Sequence, residues 1–105
     1  MAMGISIIEY TVDPAQADEV NRRLKQHLVA AAQQTAGYRG WLTADLGDSK
    51  RRDIWLFDSV EALAGMEAIG KLADKHIIPL TGEAERHFIG TVLMSDGALA
   101  PSPKS

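Results

Sequence analysis

Few side chains in this sequence can move a proton near neutral pH. They are His27, His76 and His87, with two tyrosines, Tyr10 and Tyr38, as weaker hydrogen-bond donors. The histidines are not spaced as one metal site. A set built from His76, His87 and Glu83 or Glu85 carries no spacing signature. His76 and His87 are the candidates for a general base; His27 lies beside the apolar stripe of a predicted helix and reads as a boundary residue. The second conspicuous group is D-I-W-L-F-D-S-V-E-A-L, Asp53 to Leu63. Trp55 and Phe57 stand two apart and share one face of a strand, and Tyr10 and Ile8 do the same on an earlier strand. Aromatic walls with one or two polar groups can hold a flat apolar molecule. The same residues can equally fill a core.

Cofactor motifs are absent. There is no GxGxxG, P-loop, H-E-x-x-H or G-x-S-x-G, and no cysteine, so thiolate chemistry and disulfides are excluded. A formal net charge of -3, with acids and bases interspersed, argues against a nucleic-acid partner. The basic cluster Lys50-Arg51-Arg52 reads as a solvated hairpin tip. Nothing resembles a signal peptide or a membrane span, and a cytoplasmic location is expected.

The elements that must position these residues follow from periodicity. Ile5 to Val12 reads as a strand. Asp13-Pro14 then caps a helix on which Val20, Leu24, Leu28 and Ala31 or Ala32 recur, ending near Thr35-Ala36-Gly37. Tyr38 to Leu46 and Asp53 to Asp58 form a hairpin through Gly47-Asp48-Ser49-Lys50. Asp58-Ser59 caps a second helix that loosens around Gly70 and stops by Pro79 and Gly82; Glu85 to Ser95 is the fourth strand. The order β-α-β-β-α-β predicts an α+β, ferredoxin-like fold with a four-stranded antiparallel sheet. Residues 1–95 form the single domain and 96–105 a disordered tail. Helices cover one sheet face, yet both parities of the strands are apolar. Ile5 and Ile7 oppose Ile8 and Tyr10, and Ile54 and Leu56 oppose Trp55 and Phe57. A second copy of the chain is the simplest cover for the open face, giving a homodimer with Trp55 and Phe57 looking into the space between two sheets.

Two short runs carry a resemblance. G-Y-R-G-W at Gly37 to Trp41 resembles the P-G-F-x-G lead-in to the second strand of the antibiotic-biosynthesis monooxygenase family. F-D-S-V-E-A-L at Phe57 to Leu63 resembles its W-E-S-x-E-A-F run. The family belongs to the dimeric α/β-barrel superfamily, and the resemblance spans roughly Ile5 to Ser95. It implies a cofactor-independent monooxygenase acting on a small aromatic, polyketide or quinol-type substrate in an apolar cavity. Tyr10, His76 and His87 would then be the catalytic polar groups, and Trp55, Phe57, Ile8 and Met66 the substrate-binding ones. No cofactor or metal is implied. In the haem-degrading branch a strand asparagine, a tryptophan and a helix histidine form the site. Ile8, Phe57 and Met66 stand near those positions, which counts against haem binding or degradation. A haem-binding or haem-degrading protein, and a non-catalytic dimeric barrel that binds a small apolar ligand, are the alternatives.

Overall fold

The hairpin sets the register of the sheet. Asp48 and Ser49 both take positive φ, 53° and 63°, so Gly47 pairs directly with Lys50 across a two-residue turn. That turn's twist matches the twist of the strands it joins. In the computed structural model, which describes residues 2–97, β1 is Gly4–Thr11, β2 Tyr38–Gly47, β3 Lys50–Phe57 and β4 Arg86–Thr91. They form one antiparallel sheet in the order β2-β3-β1-β4. The chain is thus α+β and ferredoxin-like, as expected.

The first helix opens on a 3-10 turn, Pro14–Gln16, where the Asp13 side chain accepts from the Ala15 N–H. It continues as Ala17–Arg23, widens into a π-helical stretch Leu24–Val29, and closes with Ala30–Ala32. It ends earlier than the sequence suggested. Gly37, with φ 84°, serves the bend into β2 instead of capping the helix. After β3, Ser59 Oγ accepts from the Ala62 N–H, and a 3-10 turn Glu61–Gly65 leads into the second helix, Met66–His76. That helix runs through Gly70 without a break. The interruption comes at Ile77, before the short helix Ile78–Thr81 that begins around Pro79.

Two strand limits differ from expectation. β3 begins three residues earlier, because the turn consumes only Asp48 and Ser49. Lys50, Arg51 and Arg52 are therefore strand residues with partners, not a free tip. Lys50 Nζ reaches Glu85 Oε1 at 2.7 Å, Arg51 donates to Asn21 Oδ1 at 2.6 Å, and Arg52 Nε donates to Glu9 Oε2 at 2.7 Å. Glu9 pairs with Arg52, and Arg39 bonds Asp58. β4 stops at Thr91. Leu93 and Met94 lie beyond it, about nine-tenths exposed. Most of the predicted tail, residues 98–105, lies outside the described residues.

Strand parity divides the sheet. Ser6, Ile8 and Tyr10 share a face with Asp53, Trp55 and Phe57. Tyr10, Trp55 and Phe57 pack in one cluster with Val20, Leu24, Leu28, Ala32, Leu63 and Ile69 of the helical segments. Trp55 and Phe57 therefore face the chain's own helices, and the expectation that they look toward a second sheet fails. Both parities are apolar, so alternation alone could not choose between them. The deep space between sheet and helices takes the bulkier aromatic parity. The opposite face carries Ile5, Ile7, Ile54 and Leu56, flanked by Leu42 and Phe88, which are 41% and 50% exposed.

Candidate functional site

Between the sheet and the helices lies a cavity of about 250 Å³. Its floor is the helix-facing side of β1, β3 and β4, represented by Ile8, Tyr10, Asp53, Trp55 and His87. Its roof comes from Leu24 and Leu28 of the first helix, and from Met66, Ile69, Ala73 and Ile77 of the second helix and its end. Strand pairing explains the floor. Ile8 faces Asp53 on one side and His87 on the other, so the three form a row across neighbouring strands. With strands about 4.8 Å apart, Asp53 and His87 sit roughly 10 Å apart with Ile8 between them.

The polar centre of the cavity is a buried pair. The Tyr10 hydroxyl donates to Asp53 Oδ2 at 2.8 Å, and both residues are 4% exposed. Asp53 Oδ1 is buried without a hydrogen-bond partner, and so are Thr43 Oγ1 opposite it on β2 and Trp41 Nε1. Burial raises the Asp53 carboxyl above the usual carboxylate range, while the Thr43 hydroxyl, the Tyr10 hydrogen bond and nearby Arg51 pull the other way. Burial and the adjacent Asp53 carboxylate push the Tyr10 phenol well above its ordinary value, so Tyr10 is a donor and not a base. A carboxylate with raised proton affinity, set among apolar walls, is suited to take a proton from a bound molecule.

At the cavity's edge, His87 Nε2 lies 2.9 Å from the Oγ of Ser6, which is fully buried. That contact occupies one ring nitrogen and leaves Nδ1 for other partners. His87 itself is exposed on the edge strand.

The structure brings Tyr10, His87, Ile8, Trp55 and Met66 together around one cavity. Two other sequence candidates lie elsewhere. Phe57 is fully buried beside Tyr38, edge to face at 5.8 Å between ring centres, and is not part of the cavity wall. His76 ends the second helix and stacks on His27, with ring centres 3.6 Å apart and planes within 2°. Loss of hydration, followed by the charges of His27, Lys75 and Arg23, lowers its proton affinity. Asp53 was missed by the sequence reading. Its signal was its parity: it stands two before Trp55, inside a strand that begins earlier than predicted. Among the described residues no cluster of three or more His, Cys, Asp or Glu could hold a metal ion. No helix among them is long and apolar enough to cross a membrane.

No family model matches the chain, and no curated protein matches it in sequence. Solved structures do match in shape. SnoaB, a cofactor-independent oxygenase from Streptomyces nogalater, superposes with a TM-score of 0.72 at 15% identity, covering 90% of this chain and 97% of SnoaB. An uncharacterised NIPSNAP-like domain protein from Burkholderia xenovorans matches with a TM-score of 0.63 at 21% identity, covering 98% and 97%. A Nitrosomonas europaea protein of unknown function matches at 0.70 and 16% identity, covering 97% of each chain. At these identities the common ground is the fold: this chain has the ferredoxin-like α+β architecture on which a cofactor-independent oxygenase and proteins of unassigned function are all built.

Proposed function

We propose that this chain is a small cofactor-independent monooxygenase that oxidises an aromatic or quinol-type substrate. One observation carries the reading: a half-open, largely apolar cavity contains a buried carboxylate, Asp53, held by the Tyr10 hydroxyl at 2.8 Å. SnoaB, which shares the fold, is a cofactor-independent oxygenase, and this supports the reaction class. The cavity lies just below the usual range for drug-sized ligands, which suits one or two fused rings over a larger polycycle.

In this reading the ring lies on Ile8 and against Trp55. Asp53 takes the acidic proton and Tyr10 holds the carboxyl in place. The resulting carbanion or phenolate is electron-rich enough to reduce dioxygen directly. Where a ring CH₂ is oxidised, it becomes C=O. One oxygen atom stays in the product, and the other leaves as water with the two hydrogens. The protein contributes orientation, a base and exclusion of water. His87 offers a second polar contact at the far end of the row. A homodimer joined through the Ile5, Ile7, Ile54 and Leu42 face belongs to the same proposal, because that face is apolar and the helices leave it uncovered.

The test is oxygen uptake with anthrones and hydroquinones in the presence of a chelator, with wild type run beside Asp53→Asn, Trp55→Ala and His87→Ala. Uptake above the spontaneous rate, a single oxygenated product, and a loss of about a hundredfold in Asp53→Asn are expected. Uptake no faster than buffer, or undiminished in Asp53→Asn, overturns the proposal.

A further inference from the structure

The charges around the cavity are one-sided. Its charged or titratable wall residues are Tyr10, Asp53, Asp74 and His87, and no Lys or Arg among the described residues lines it. The nearest cation on the same strand face, Arg51, stands two residues before Asp53 and donates to Asn21 Oδ1. Inside, Asp53 Oδ1 is closed off with the Thr43 hydroxyl across from it, and Oδ2 accepts from Tyr10. Oδ2 has a second lone pair for an N–H or O–H of a bound molecule. A bound carboxylate faces the opposite situation. It gives up water, meets no cation in the wall, and sits beside Asp53, whose charge Arg51 offsets only in part from behind. Trp55 and Tyr10 add aromatic surface that favours a cation further.

We infer that Asp53 makes this cavity selective by charge: it admits a small aromatic ligand bearing a hydroxyl or ammonium donor and refuses the same ring bearing a carboxylate. The inference rests on the cavity being the binding site, as proposed above, but not on any oxidation taking place there.

Four probes of one shape separate the effects: toluene, benzyl alcohol, benzylamine and benzoate. Their binding at pH 7 is followed by chemical-shift perturbation of the Trp55 indole and the Ile8 methyls. Benzyl alcohol and benzylamine are expected to bind more tightly than toluene, and benzoate about tenfold or more weaker than benzyl alcohol. Asp53→Asn keeps the shape and can still accept from Tyr10. In that variant the advantage of benzylamine over benzyl alcohol should vanish and the penalty on benzoate should shrink. Asp74→Asn should leave the order intact. Benzoate binding as well as benzyl alcohol, an order unchanged in Asp53→Asn, or no binding of any probe each overturns the inference. Oxygen uptake is measured separately. A correct binding order without turnover defeats the oxygenase reading and leaves charge selection standing.

Discussion

Replacing Tyr10 by phenylalanine removes one oxygen atom and tests the buried pair directly. The lost contact is a 2.8 Å hydrogen bond between two residues that are each 4% exposed. After the change, both Asp53 oxygens lack a partner, since Oδ1 has none already. A hydrogen bond to a charged group contributes about 1.5–3 kcal/mol, and a neutral one about 1. With Asp53 ionised, the expected loss is about 2 kcal/mol, or roughly 8–16 °C in Tm for a domain of this size. The dependence on pH has a definite sign. Burial raises the folded pKa of Asp53, so the stability linked to this group is complete below the unfolded value near 4 and is lost as pH rises through the folded value. The Tyr10 bond opposes that loss by favouring the ionised form. Tyr10→Phe should therefore cost about 1 kcal/mol at pH 4 and more at pH 8. Urea unfolding at both pH values, repeated in an Asp53→Ala background, completes a double-mutant cycle. A cost that is the same at both pH values, or the same with and without the Asp53 carboxyl, refutes the reasoning.

Four further outcomes can be checked. Ser49→Gly should raise stability by about 0.5 kcal/mol, because Ser49 holds a left-handed φ of 63° that glycine adopts without strain; a thermal melt reads it. Gly4→Ala should cost about 1–3 kcal/mol in urea unfolding, since a Cβ there would stand 2.5 Å from the Ser59 carbonyl oxygen and 2.9 Å from the Val60 Cα, both of them backbone atoms. Ile54→Lys, in the middle of the open sheet face, should halve the mass seen by sedimentation without lowering the helical signal; an unchanged mass argues against assembly through that face. The Glu19 carboxyl, held by Arg22 and Arg23, should titrate at about 2 in a carboxyl NMR experiment; this depressed value favours the fold above the ordinary carboxylate range and ceases to do so as pH falls toward 2.

Much of the architecture was visible in local signals. Asp13-Pro14 and Ser59 announce helix starts, and the β-branched and aromatic runs Ile5 to Val12 and Ile54 to Phe57 announce strands. The order of elements then leaves few topologies. The side of the sheet on which Trp55 and Phe57 lie was not legible, because Ile54 and Leu56 are as apolar as they are and periodicity reports a face without saying what covers it. The candidate site was legible in part. Tyr10, Ile8, Trp55, Met66 and His87 carry recognisable chemistry and meet at one cavity. Asp53 was hidden by a boundary error: with Lys50-Arg51-Arg52 assigned to the turn, it read as the polar first residue of a strand. His76 was attractive as a titratable group near the end of a helix. Only the packing of two helices against each other places its ring on His27 and away from the cavity.

The widened stretch Leu24–Val29 has a consequence for how this chain can change in length. A π-helical turn holds one residue more than the α-helical turn it replaces. Leu24 and Leu28, its two buried residues, both roof the cavity, while Lys25 and Gln26 between them are exposed. Removal of either polar residue would let the segment rewind as ordinary helix with both leucines still turned inward. A shortened chain could therefore keep its flanks in register, and the roof over the cavity is the place where a single-codon deletion would redraw the cavity without disturbing the sheet beneath.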